Sequence, residues 1–108
     1  MITGSAPRRI LLYGSPVDMR KSFDGLLAIV QGTLGEDALS GTIFAFVNRR
    51  GNYLKSVYWD RTGYCLFAKR LEQGRFRFPG GSGKREVSEA MFRLLLDGIV
   101  LERWRRMD

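Results

Sequence analysis

Two turns of one design separate three strand-like runs, and this pattern most constrains the fold. Asn48-Arg49-Arg50-Gly51 and Asp60-Arg61-Thr62-Gly63 both place Asn or Asp first and Gly fourth. That order marks a type I turn followed by a left-handed glycine, the three-residue hairpin loop. The flanking runs, residues 42–47, 53–59 and 64–71, are rich in aromatic and β-branched residues. A meander of three antiparallel strands is predicted. Arg75-Phe76-Arg77-Phe78 alternates strictly and is a candidate for a short fourth strand ending at Pro79.

Each turn implies a register. If Asn48 pairs with Asn52, Phe46 faces Leu54. If Asp60 pairs with Tyr64, Tyr58 faces Leu66 and Lys55 faces Lys69. Side chains alternate along a strand, so all even-numbered residues then share one sheet face. Phe44, Phe46, Leu54, Tyr58, Leu66 and Ala68 would pack on helices, with Arg70 at the rim. The odd face would carry Tyr53, Lys55, Val57, Trp59, Phe67 and Lys69. Like charges directly opposite each other cost stability, which a bound phosphate or a nearby carboxylate would relieve. Cations among aromatics on an open sheet face suit backbone neutralisation and base stacking. Ile43, Ala45, Val47 and Leu71 share this face, so cover by a helix or a protein partner stays open as the alternative.

Two helices flank the meander. Ile10-Leu11-Leu12-Tyr13 reads as a strand. Ser15-Pro16-Val17-Asp18 then reads as a helix start, followed by Met19, Phe23, Leu26, Leu27 and Val30 on one helical face. Gly25 marks a close approach inside that helix, and Gly32 and Gly35 end it. Ser88 caps a second helix over residues 89–97, with Gly98 as its stop. Ile99-Val100-Leu101 is a candidate for a last short strand. The predicted fold class is α+β: an antiparallel three- to four-stranded meander packed by two helices, in the order β-α-β-β-β-(β)-α. Residues 1–101 form a single domain, and residues 102–108 a basic tail.

Charge is concentrated in the same central region. Residues 48–85 hold ten Lys or Arg and two acids, while residues 1–47 sum to zero and residues 86–108 to −1. The net +7 of the chain is therefore the charge of one segment, and it suggests a polyanion surface. The candidate contacts are Lys55, Lys69, Arg49, Arg50, Arg61, Arg70, Arg75, Arg77 and Trp59.

Other chemistries are disfavoured. The chain has no histidine and one cysteine, Cys65, so it lacks the commonest general base and any intrachain disulfide. Asp18, Asp24, Glu36, Asp37, Asp60 and Glu72 show no spacing that singles out a metal site. Gly80-Gly81-Ser82-Gly83-Lys84 lacks the spacing of a nucleotide-binding loop, and Arg85 stands where Ser or Thr belongs. No catalysis, metal or cofactor is predicted. No apolar run reaches the roughly 18 residues of a membrane span, and no leader pattern opens the chain, so a cytoplasmic protein is expected.

Three stretches resemble a known family. They are Asp18-Met19-Arg20-Lys21-Ser22-Phe23-Asp24-Gly25-Leu26; the run from Phe44-Ala45-Phe46 through Arg49-Arg50-Gly51, Lys55, Trp59-Asp60 and Gly63; and Leu66-Phe67-Ala68-Lys69-Arg70-Leu71-Glu72-Gln73-Gly74-Arg75-Phe76, closed by Pro79. Over residues 8–100 the chain resembles the TnpB-type accessory protein of the insertion-sequence sixty-six family of bacterial transposons, encoded by the second open reading frame. This is not the RNA-guided nuclease that shares the label. The resemblance implies a role in transposition beside a transposase and a second small accessory protein, and it supplies no catalytic residues. The charged matches are Arg20, Lys21, Lys55, Lys69, Arg70 and Arg75. Trp104 lies outside the match. Two functions follow as expectations: binding DNA, the transposon ends in particular, or joining the transposase to its partner without direct DNA contact.

Overall fold

The computed structural model describes residues 8–78 and 83–98. Its sheet is built from β1 (Ile10–Tyr13), β2 (Ile43–Val47), β3 (Tyr53–Asp60), β4 (Gly63–Arg70) and β5 (Lys84–Val87), in the order β4-β3-β2-β1-β5. Two helices, α1 (Phe23–Ala28) and α2 (Glu89–Leu96), complete an α+β fold. The sheet is mixed rather than purely antiparallel, because β1 and β2 run parallel. Between them lies the α1 crossover, which is what a parallel pair requires.

Both hairpins form, but each register differs by one residue from the expectation. Gly51 adopts φ 75° and its N–H donates to the Asn48 carbonyl, as a type I turn with a left-handed glycine should. Asn48 then adds a side-chain cap: its Oδ1 accepts from the N–H groups of Asn52 and Tyr53 at 3.0 and 3.1 Å. Asn52 is thereby drawn into the loop, and Val47 pairs with Leu54. The second turn is tighter. Arg61 sits at φ 51°, the Thr62 N–H donates to the Asp60 carbonyl, and Asp60 pairs with Gly63.

A one-residue slip moves every side chain of a strand to the other face. Even residues of β2 and β4 now share a face with odd residues of β3. Lys55 lies opposite Ala68 and Lys69 opposite Leu54, so the expected Lys55/Lys69 pair does not form. Both faces of the sheet are covered over its central strands. Phe44, Phe46 and Val57 pack with Leu26 and Val30 from the α1 segment. Ile43, Ala45, Val47 and Leu54 pack with Phe92 and Leu95 of α2 and with Phe76.

Helix α1 starts later than the Ser15-Pro16 signal predicts. The Val17 N–H donates to the Val47 carbonyl at 2.9 Å, which holds the segment against the end of β2. Asp18 then makes a local turn, its Oδ1 accepting from the Arg20 N–H and its carbonyl from that of Lys21. Such local bonds compete with helix formation. Gly25 does mark a close approach: a Cβ there would stand 3.1 Å from the side-chain stem of Lys21. The helix runs on through a π-helical turn, Ile29–Thr33, and Gly35 at φ 61° follows.

Residues 75–78 do not join the sheet, although their alternation survives: Phe76 is buried while Arg75 and Arg77 are exposed. The extra strand is β5, antiparallel to β1. Arg9 bridges Glu86 and Glu36, and Lys84 bonds the Leu34 carbonyl and Glu36. Ser88 caps α2 as expected, accepting from the Met91 N–H at 3.1 Å, and Gly98 follows at φ 74°. Ser88→Ala should lower stability by about 1 kcal/mol in a denaturant titration, with the folded spectrum unchanged. The expected strand at residues 99–101 and the tail at 102–108 lie outside the described residues.

Candidate nucleic-acid interface

Three segments meet at the end of the sheet where β2 stops and β3 begins. The first is the Asp18–Lys21 turn, the second the β2–β3 loop, and the third the chain leaving β4. The Leu71 N–H donates to the Asn52 carbonyl and the Phe76 N–H to that of Gly51, at 2.8 and 2.7 Å. These bonds fold residues 71–76 back against the loop. The stem of Arg75 lies over Gly51, within 3.7 Å of where a Cβ would be. Arg70 stands directly opposite Tyr53. Arg20, Lys21, Arg49, Arg50, Arg70 and Arg75 thus gather at one end.

An open cleft of about 560 Å³ lies between the 16–20 segment and the β2–β3 loop. Pro16, Met19, Arg20, Arg49, Arg50 and Tyr53 are among its lining residues. Arg20 is held by a fork of bonds to Asp18 at 2.6–3.1 Å. Arg70 is 3.5 Å from Glu72. Arg49, Arg50, Lys21, Arg75 and Arg77 form no ion pair among the described residues. Uncompensated cations on exposed, closely spaced segments raise the local positive potential.

Lys55 and Lys69 have other partners. Lys55 is buried, and its Nζ donates to the Lys21 carbonyl at 2.7 Å and lies 5.9 Å from the Tyr53 ring centroid. It braces the 18–21 turn from beneath. Lys69 Nζ donates to the Leu96 carbonyl at 2.8 Å and lies 3.8 Å from Asp97 Oδ1. A cation at the C-terminal end of α2 is favourable there.

Two of the other expected contacts lie elsewhere. Trp59 and Arg61 sit near the opposite end of β3, about 20 Å along the strand from Tyr53. Trp59 is half-buried, with its ring edge-to-face on Tyr64 at 5.0 Å, and its carbonyl accepts from Arg8. Arg61 Nε is 3.8 Å from Asp60. Arg77 follows the buried Phe76 on the exposed segment. The nine expected contacts therefore do not form one surface. Arg49, Arg50, Arg70 and Arg75 come together there; Arg20 joins them although the charge census misses it, because Asp18 cancels it in the sum over residues 1–47. Among the described residues no three of His, Cys, Asp and Glu gather as metal ligands, and no helix is long and apolar enough to cross a membrane.

Two carboxyls are perturbed, Asp18 at the cleft and Glu36 beside β1 and β5. The Arg20 side chain and its N–H hold the Asp18 carboxyl at about 2, against an ordinary 3.8. Hydrogen bonds, from Lys84 first and then Arg9, hold Glu36 below its usual value of 4.5. A carboxyl with a depressed folded-state pKa stabilises the fold above its unfolded value and loses that contribution as pH falls through the folded one. The thermal midpoint should therefore drop between pH 4.5 and about 2. Asp18→Asn should flatten part of that drop, and added salt should shrink it because both pairs are solvent-screened. A midpoint independent of pH across that window would contradict these pairings.

A family model described as IS66 Orf2 like protein matches residues 8–106. The chain belongs to that family, and with it goes an accessory role associated with transposition. It is 38% identical over 107 residues to the uncharacterized protein y4jC of Sinorhizobium fredii (strain NBRC 101917 / NGR234), covering 98% of this chain and 92% of that protein. It is 39% identical over 92 residues to the uncharacterized protein y4hO of the same strain, covering 84% of this chain and 80% of that protein. No solved structure matches the chain significantly.

Proposed function

We propose that this protein is a non-catalytic accessory factor of transposition that binds DNA, the ends of the element in particular, on the basic end of its sheet. The observation that carries this reading is the convergence of Arg49, Arg50, Arg70 and Arg75 at one end of the sheet, beside an open cleft that Arg49, Arg50 and the Asp18-paired Arg20 line. The arginine fork suits phosphate oxygens, and the backbone of DNA supplies them in a row. Lys55 contributes by holding the 18–21 turn in place. Lys69, Trp59 and Arg61 are too dispersed to join the same contact.

Binding to DNA measured across a salt series tests the reading. Counterion release gives an affinity that falls steeply with salt. A folded protein with no salt-dependent affinity for any DNA would overturn it.

A second reading draws on β4. This eight-residue edge strand pairs on one side only among the described residues. Such an edge can accept a strand from another protein, here the transposase or the second accessory protein. Association with the transposase that survives nuclease treatment, with amide shift changes along β4 and DNA binding unchanged, would favour it.

A further inference from the structure

The cleft at the basic end has walls of two kinds. Pro16, Met19 and the Tyr53 ring provide apolar surface, while Arg49 and Arg50 provide positive charge and Arg20 is paired with Asp18. The cleft's volume of about 560 Å³ leaves room for a base laid against one wall, with the other side open to solvent. Clefts for phosphate alone need no aromatic wall, and clefts for an apolar ligand need no arginines. A nucleotide has both parts: a flat π surface and an anionic linkage.

Base pairing decides which form of DNA can use such a wall. In a duplex both faces of each base are covered by neighbouring pairs. Only an unpaired base can lay its face on an aromatic ring, the arrangement by which proteins hold single strands. Tyr53 is half-buried at the first position of β3, and Arg70 stands opposite it on β4. Lys55 lies beneath the 18–21 turn, 5.9 Å from the ring centroid. The ring is thus fixed on a strand rather than carried on a mobile loop. Asp18, tied to Arg20, leaves the 16–20 side of the cleft poorly suited to phosphate. Arg49 and Arg50 on the other side pair with no carboxylate among the described residues.

We propose that the cleft takes an unpaired base of a DNA strand, its face on Tyr53 and its flanking phosphates on Arg49 and Arg50. The protein then prefers single-stranded or frayed DNA to fully paired DNA. This inference rests on the DNA-binding reading above and adds the strandedness that composition and fold leave open.

The test uses the full chain and fluorescence anisotropy with a 20-nucleotide single strand, and with the same sequence as a blunt duplex. The single strand should bind at least about tenfold more tightly. Tyr53→Leu keeps apolar bulk but removes the π face, and should weaken single-strand binding about tenfold, the scale of one stacked base. It should leave duplex binding within about twofold. Tyr53→Phe keeps the face and should retain the single-strand affinity. Circular dichroism checks that each variant is folded. Equal or tighter duplex binding, or equal single-strand affinities for the leucine and phenylalanine variants, would overturn the stacking site while leaving DNA binding intact. Binding to neither form would overturn the DNA reading and this inference with it.

Discussion

Replacing Arg49 and Arg50 together by glutamate should weaken DNA binding roughly fiftyfold at low salt. A unit charge about 7 Å from a phosphate in water interacts by about 0.6 kcal/mol. Reversing it doubles the change, and two residues give about 2.4 kcal/mol, or roughly fiftyfold. The slope of log affinity against log salt should also fall by about 1 to 2, because two phosphate contacts no longer release counterions. Stability should barely move: both side chains are exposed and form no ion pair among the described residues. Glutamate at Arg61, at the other end of the β3–β4 hairpin, should change affinity far less. Equal losses at the two ends would indicate a diffuse charge effect rather than a site. A fold that survives with unchanged DNA affinity in the double variant would remove the basic end from the contact.

Phe46→Ala and Phe92→Ala should each destabilise the fold by about 3–5 kcal/mol. Both rings are fully buried, on opposite faces of the sheet. Phe46 packs on the α1 side, with its ring edge-to-face on Tyr13 at 6.0 Å. Phe92 seals the side carrying Ile43, Ala45 and Val47. A domain of this size holds about 5–15 kcal/mol in total, so either change removes a large part of its stability. Thermal midpoints should fall on the order of 10–30 °C. Leu39→Ala, at a side chain that is 57% exposed, is the control and should cost under about 0.5 kcal/mol. The comparison is informative because an open sheet face would leave one of the two phenylalanine variants nearly harmless. Chemical denaturation of all three resolves the difference.

The elements were largely legible and the faces were not. Strands β1 to β4 follow from their runs, α1 from periodicity although its start was placed too early, and α2 from its caps, with Ser88 and Gly98 placed correctly. The faces depend on register, and register depends on one side chain: Asn48 Oδ1 takes two backbone N–H groups and lengthens the loop by a residue. No alternation pattern could signal this, because both candidate faces carry enough apolar residues to form a core. The facing lysines were a consequence of the wrong register. The parallel β1/β2 pair was there to be read, since strand, helix and strand follow one another over residues 10–47. Strand β5 was not, because Lys84-Arg85-Glu86-Val87 carries one apolar residue and is held by pairing with β1 and by bonds to Glu36.

The candidate site was legible in its charges but not in its place. The basic segment supplied Arg49, Arg50, Arg70 and Arg75. It also supplied Lys69 and Arg61, which the fold sends elsewhere. Arg20 was hidden by a regional sum of zero. Its one sequence signal was the Asp18-to-Leu26 stretch that resembles the family. Tyr53 counted among many aromatics, and only the cleft distinguishes it from Tyr58 or Trp59.

The most direct measurement is a backbone amide spectrum of the labelled protein titrated with single-stranded and duplex DNA. Shift changes should concentrate at residues 18–21, 48–53 and 70–75, and the rest of the sheet should stay nearly still. Changes confined to the outer edge of β4 or to α2, or none under conditions where DNA is bound, would contradict a DNA contact at the basic end of the sheet.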